Sequence, residues 1–161
     1  MRRTIGIVSA LAIVAAIAGW RTTPNQEPTL QGAWVRASTW DTAGNVNSEP
    51  QRGLFIFTGT HYSVMFVNSG EPREQFAGDT PTDAELVTAY RSFVANSGRY
   101  EVDGDQLTTR AYMAKNPNYM GSWPENPGTF TYRIEGDTLY ATNSNGSGAT
   151  WRRVEGTPVP W

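Results

Sequence analysis

The sequence predicts an all-β protein with one helix: an eight-stranded antiparallel barrel preceded by a signal peptide. Three observations predict it. Short runs of aromatic and β-branched residues recur eight times between clusters of Gly, Asn, Asp and Pro, the pattern of antiparallel strands with frequent turns. Two of the gaps, Gly59-Thr60 and Gly136-Asp137, have the length and composition of type II′ hairpin turns with Gly at the first central position. One stretch, after Thr80-Pro81-Thr82-Asp83, carries its apolar residues at helical spacing instead. Eight strands suffice to close a barrel whose interior either fills with side chains or holds one small ligand.

In chain order, residues 1–18 come first as a leader. Arg2 and Arg3 form a basic start, Ile5 to Ala18 is an apolar run, and Ala16-Ile17-Ala18 is an A-x-A cleavage site, together the features of a secretory signal peptide. The run is 14 residues, short of the roughly 20 that a spanning helix needs, so an uncleaved anchor is the alternative. Cleavage would leave 143 residues with no stable membrane span, a secreted or periplasmic location, and a formal charge of −4 in place of −2. Residues 19–29 read as a flexible lead-in, 30–155 as one barrel domain and 156–161 as a tail. The acidic balance and the scattering of basic residues argue against a nucleic-acid partner. The chain has no cysteine, which excludes disulfides, a thiol nucleophile, a lipidated cysteine and Cys-based metal sites.

The strands are expected at Gly32–Asp41, Gly53–Thr58, His61–Asn68, Gly98–Asp103, Gln106–Ala114, Thr129–Glu135, Thr138–Asn143 and Ala149–Glu155. A turn at Gly59-Thr60 sets Phe57 opposite Tyr62 and Phe55 opposite Val64. One face of that hairpin is then Phe55, Phe57, Tyr62, Val64 and Phe66, and the other is Leu54, Ile56, Ser63, Met65 and Val67. Both faces are largely apolar, which predicts a cover outside as well as inside. The helix supplies one: its stripe of Leu86, Val87, Tyr90, Phe93 and Val94 runs to about Asn96 and is expected to pack on the barrel or close one end.

Candidate chemistry is sparse. His61 is the single histidine, stands beside a hairpin turn and has no companion base or ligand at a metal-binding spacing, so no catalytic residue, metal or cofactor is assigned. The carboxylates Glu71, Glu74, Asp79, Asp83 and Glu85 fall in a loop and a helix first turn, where solvation and the helix dipole account for them. On the strand from Gln106, Thr108, Arg110 and Tyr112 share one face, and Leu107, Ala111 and Met113 share the other. If the polar face points inward, Arg110 and Tyr112 can grip a carboxylate or phosphate head; if outward, they are surface groups. Six Trp, seven Tyr and six Phe supply either a packed core or cavity walls, with Tyr112, Tyr119 and Trp123 placed to gate a mouth.

Several motifs recur in a set order: Gly32-Ala33-Trp34, Gly53-Leu54-Phe55-Ile56-Phe57-Thr58-Gly59-Thr60, the helix entry Thr82-Asp83-Ala84-Glu85-Leu86, and Ser97-Gly98-Arg99-Tyr100-Glu101-Val102. After them come Asn116-Pro117-Asn118-Tyr119-Met120-Gly121, Glu135-Gly136-Asp137-Thr138-Leu139 and Thr150-Trp151-Arg152-Arg153-Val154. In order and spacing this resembles the bacterial lipocalin-like domain family, and the resemblance runs from about Leu30 to Glu155. It implies a small calycin-type barrel in which the first and last strands are neighbours. Gly32, Trp34, Arg152 and Arg153 would then close one end, an Arg lying over the indole of Trp34. The family pattern often carries a His on the strand before the Pro-Asn turn; here Thr109-Arg110-Ala111 stands instead, and any role of that His does not carry over.

The expected function is an exported, monomeric binding protein for a small apolar or amphipathic molecule, with Phe55, Phe57, Tyr62, Arg110 and Tyr112 as the ligand-binding residues. Two alternatives differ in what they require. A barrel enzyme of isomerase or cyclase type needs an ionisable group such as Arg110, Tyr62 or Glu101 deep inside, and an envelope interaction protein needs a filled barrel with an apolar patch outside.

Overall fold

The computed structural model describes residues 29–121 and 127–154. Its strands are β1 (Gly32–Trp40), β2 (Val46–Asn47), β3 (Gly53–Phe57), β4 (His61–Val67), β5 (Phe93–Asp103), β6 (Gln106–Ala114), β7 (Gly128–Glu135), β8 (Thr138–Asn143) and β9 (Gly148–Arg153). Two helices accompany them, α1 (Asp83–Arg91) and α2 (Pro117–Gly121). All pairings are antiparallel, in the order β1-β3-β4-β5-β6-β7-β8-β9, and β9 pairs back on β1 to close an eight-stranded barrel. The two-residue β2 adds only to the far end of β1. The leader, the lead-in to Pro28, Trp123 and the tail lie outside the described residues.

The turns fix the register as the sequence implies, although one by a different route. Phe57 faces Tyr62 and Phe55 faces Val64. At Gly136, φ is +57° while Asp137 stays negative, as a type II′ turn between Glu135 and Thr138 requires. Gly59 does not have a positive φ, so its turn has the expected two residues but not the type II′ conformation. There the Thr58 N–H donates to the His61 carbonyl and the Tyr100 hydroxyl donates to the Thr58 carbonyl at 2.8 Å, holding the corner from a neighbouring strand.

Alternation decides what faces inward. Trp34, Phe55, Phe57, Tyr62, Val64, Leu107, Leu139, Ala141 and Trp151 form one buried cluster with Leu30 beneath. Phe57 stacks on Phe55 with centroids 4.2 Å apart, Tyr100 meets Phe57 edge-on at 5.1 Å, and Trp151 meets Phe55 at 5.5 Å. Such pairs add about 0.5–1.5 kcal/mol each beyond area burial. They fill the end of the barrel where β1 begins.

Two bulges modify the alternation. Between Ser97 and Gly98 the β5–β6 register shifts, so that Ser97 faces Met113 and Gly98 faces Ala111. A Cβ at residue 98 would run into the Arg110 carbonyl, so the crossing needs glycine. Beyond the bulge Met113 turns outward, two-thirds exposed, and Ala114 turns in, so the expected shared face of Leu107, Ala111 and Met113 is corrected: Met113 leaves it. In β1 a second shift between Arg36 and Ser38 makes Ala37 the extra residue.

The helix differs most from expectation. It starts at Asp83, with Thr82, not Thr80, as N-cap in a capping box with Glu85, and ends at Arg91. Phe93 and Val94 belong to β5, paired with Val67 and Phe66, because their alternation completes the sheet. Without them the helix stripe buries nothing: Leu86, Val87 and Tyr90 stay about half exposed. The helix therefore covers neither the outer face of β3–β4, where Met65 remains exposed, nor the cavity. It is tied beside the mouth by the Lys115 ammonium, which donates to the Tyr90 and Phe93 carbonyls, and by the Tyr90 hydroxyl on the Lys115 carbonyl.

Candidate functional site

The closed end is held by one arginine. Gly32 opens β1 at φ +122°, and Arg153 Nη1 lies 3.1 Å from where its Cβ would be. The guanidinium covers the Trp34 ring at 4.1 Å and donates to the Gln31 and Thr29 carbonyls at 2.7 Å each, while the fully buried Trp34 donates its Nε1 to the Leu30 carbonyl at 2.8 Å. Gly32, Trp34 and Arg153 thus meet as the family resemblance implies. Arg152 does not join them, because its position in β9 puts it on the outer face, where it is exposed.

The other end is hollow. A cavity of about 800 Å³ opens there, with Phe55 and Trp151 at its base, Val64, Phe66, Phe130, Ala141 and Ala149 on its walls, and Asn68, Lys115, Asn116 and Ser147 among its rim residues. Phe57 sits a layer deeper, beneath Phe55, and does not reach the space. Tyr62 does reach it, its hydroxyl donating to Asn96 Oδ1 at 2.7 Å, and Thr109 and Tyr119 line the same wall. Burial, and secondarily the nearby Tyr119, pushes the Tyr62 phenol well above the usual tyrosine range, so it stays a neutral hydrogen-bonding group.

Arg110 and Tyr112 are corrected. Both lie on the outer face of β6, because Leu107, Thr109 and Ala111 take the inward positions. Arg110 pairs with Glu101 at 2.9 Å across β5, so both are spoken for outside the barrel, and Tyr112 is about half exposed with the His61 ring 5.9 Å away. His61 is exposed at the start of β4, beside the turn, and its Nδ1 meets Thr60 Oγ1 at 2.8 Å. Glu85 accepts from the Ala77 and Thr82 backbone N–H groups, which hold its carboxyl below the usual range as a capping group. Among the described residues no cluster of three or more His, Cys, Asp or Glu could hold a metal, and no helix is long and apolar enough to cross a membrane.

The residue that sequence reasoning missed is Arg36. It faces the cavity from β1, half-buried, with its guanidinium 4.8 Å from the Phe66 ring. Nε and Nη2 donate to the Gln51 carbonyl at 3.0 and 2.6 Å, and Nη2 also to the Val67 carbonyl at 2.5 Å. Burial lowers its pKa from the ordinary value. The signal was available: Arg36 is two residues after the inward Trp34, and period-two alternation carries it to the same side.

No curated protein matches the chain. Two solved structures are similar over most of their lengths. A lipocalin-like protein from Bacteroides uniformis aligns at 15% identity and a TM-score of 0.48, covering 78% of this chain and 98% of its own. An uncharacterised protein from Bacteroides eggerthii aligns at 11% identity and a TM-score of 0.47, covering 77% and 98%. The sequence profile of the lipocalin-like domain matches residues 47–154. That match takes in more than half of the sequence and seven of the eight barrel strands, and on it the chain belongs to the lipocalin-like domain family.

Proposed function

We propose that this protein is an exported binding protein that holds one small, partly apolar molecule in its barrel. The observation that carries the reading is the cavity of about 800 Å³, open at one end and floored by Phe55 and Trp151. That volume is within the range of ligand pockets, and its aromatic walls with a few polar groups suit a molecule of mixed character. Apolar ligand surface buried there contributes roughly 25 cal/mol per Å². Tyr62 and Asn96 orient the ligand through a hydroxyl–amide pair on the wall. Nothing in the binding step calls for a chemical transformation, and the protein acts as a monomeric carrier. Export rests on the leader: N-terminal sequencing of the protein from an export-competent host is expected to begin at Gly19.

The test is native mass spectrometry of the protein purified from its own host, followed by organic extraction. A reproducible added mass of a few hundred daltons with an extractable molecule is the expected result. A protein that is always empty and also declines a panel of apolar fluorescent probes would overturn the carrier reading.

A further inference from the structure

We infer that the ligand is an anionic amphiphile whose acidic head pairs with Arg36 inside the cavity; this rests on the binding-protein reading above. Arg36 is held in place by backbone carbonyls alone, with Nε and Nη2 committed to Gln51 and Val67, while Nη1 takes part in none of these bonds. The ion pairs found among the described residues involve Arg110, Arg133 and Arg153, each outside the cavity. Among the described residues lining the cavity there is no Asp or Glu, yet there are two cations, Arg36 and Lys115. A chain of net negative charge thus carries one cation on the cavity wall, Arg36, and one at the rim, Lys115, which draw anions toward the mouth.

The energetics of seating a ligand point the same way. A wholly apolar molecule would strip water from a half-buried guanidinium and return nothing for it. A carboxylate or a similar anion replaces that water with charge-assisted hydrogen bonds from Nη1, the guanidinium nitrogen that Gln51 and Val67 leave over. The aromatic neighbours fix where the rest of the molecule goes: Phe66 lies against the guanidinium, and Trp151 meets Phe66 at 6.5 Å and Phe55 at 5.5 Å, a continuous apolar path to the base. The head therefore sits on the β1 wall, with the tail against Phe55 and Trp151.

Three chain-matched probes test this: decanoate, decan-1-ol and decyltrimethylammonium, each competing with a bound apolar fluorophore at neutral pH on the protein as recovered from an export-competent host. Decanoate is expected to bind on the order of tenfold to a hundredfold tighter than the alcohol, with the cation weakest. Arg36→Met is expected to bring decanoate down to the alcohol's affinity and leave the alcohol within about twofold. Equal binding of acid and alcohol by the unaltered protein overturns the inference while leaving the binding-protein reading intact, and needs no variant to fold. A folded Arg36→Met that keeps the acid preference also overturns it. Failure of all three probes and of the fluorophore removes both readings together.

Discussion

Replacing Arg153 by Met isolates what closes the barrel. The substitution keeps much of the side-chain length over Trp34 but removes the cation 4.1 Å from its ring and two hydrogen bonds of 2.7 Å to the Thr29 and Gln31 carbonyls. The cation–π contact is worth about 1 kcal/mol at this partly covered site. Each hydrogen bond contributes about 0.5–1 kcal/mol, at the low end because Thr29 and Gln31 are exposed and water reaches their carbonyls. The ion pair to Asp137, 3.7 Å away and with its carboxylate side chain 64% exposed, adds only a few tenths of a kcal/mol. The expected loss is about 2–3 kcal/mol, or roughly 8–12 °C in Tm for a domain of this size. Urea titration read by near- and far-ultraviolet circular dichroism measures it, with Asp137→Asn as the companion that should cost under about 0.5 kcal/mol. If Arg153→Met costs less than about 0.5 kcal/mol, or if Asp137→Asn costs as much as Arg153→Met, the closure does not depend on the ring contact and the reasoning fails.

Further outcomes follow from the same geometry. Ala149→Trp, which places an indole in the cavity from β9, is expected to abolish binding of apolar fluorescent probes while the far-ultraviolet spectrum stays that of the unaltered barrel. Gly98→Ala is expected to cost about 3 kcal/mol in a urea titration, because its methyl meets the Arg110 backbone and the bulge must open. The Tyr62 phenol, raised by burial, favours the fold fully below pH about 10 and loses that contribution as pH climbs from there toward its folded value. In an alkaline titration followed at 295 nm, one tyrosine should therefore ionise only as the barrel unfolds, and Tyr62→Phe should remove that late step.

What could be read in the sequence was what local periodicity controls. The hairpin pairs Phe55–Val64 and Phe57–Tyr62, the strand ends at Gln106, Ala114, Thr138 and Asn143, and the Gly136 turn follow from alternation and turn chemistry acting over a few residues. The junction after Arg91 was not legible in the same way. Phe93 and Val94 continue a helical stripe equally well, and only Val67 and Phe66, which are distant in sequence, decide that they pair as strand. Met113 was misplaced because a bulge depends on how close Gly98 lets β6 approach, a property of two strands together. At the cavity, the inward position of Arg36 follows from Trp34, whereas its carbonyl partners come from the loop before β3 (Gln51) and the end of β4 (Val67), which local alternation does not reach.

The placement of Arg153 also sets the polarity of the whole molecule. By binding the Thr29 and Gln31 carbonyls, it pins the entry of the chain to the end opposite the mouth, and the Val154 N–H, bonded to the Ala33 carbonyl, brings the exit to that same end. A label fused directly ahead of Thr29 therefore starts from the closed end. An immobilised barrel held through that end would be attached away from the rim residues Asn68, Asn116 and Ser147.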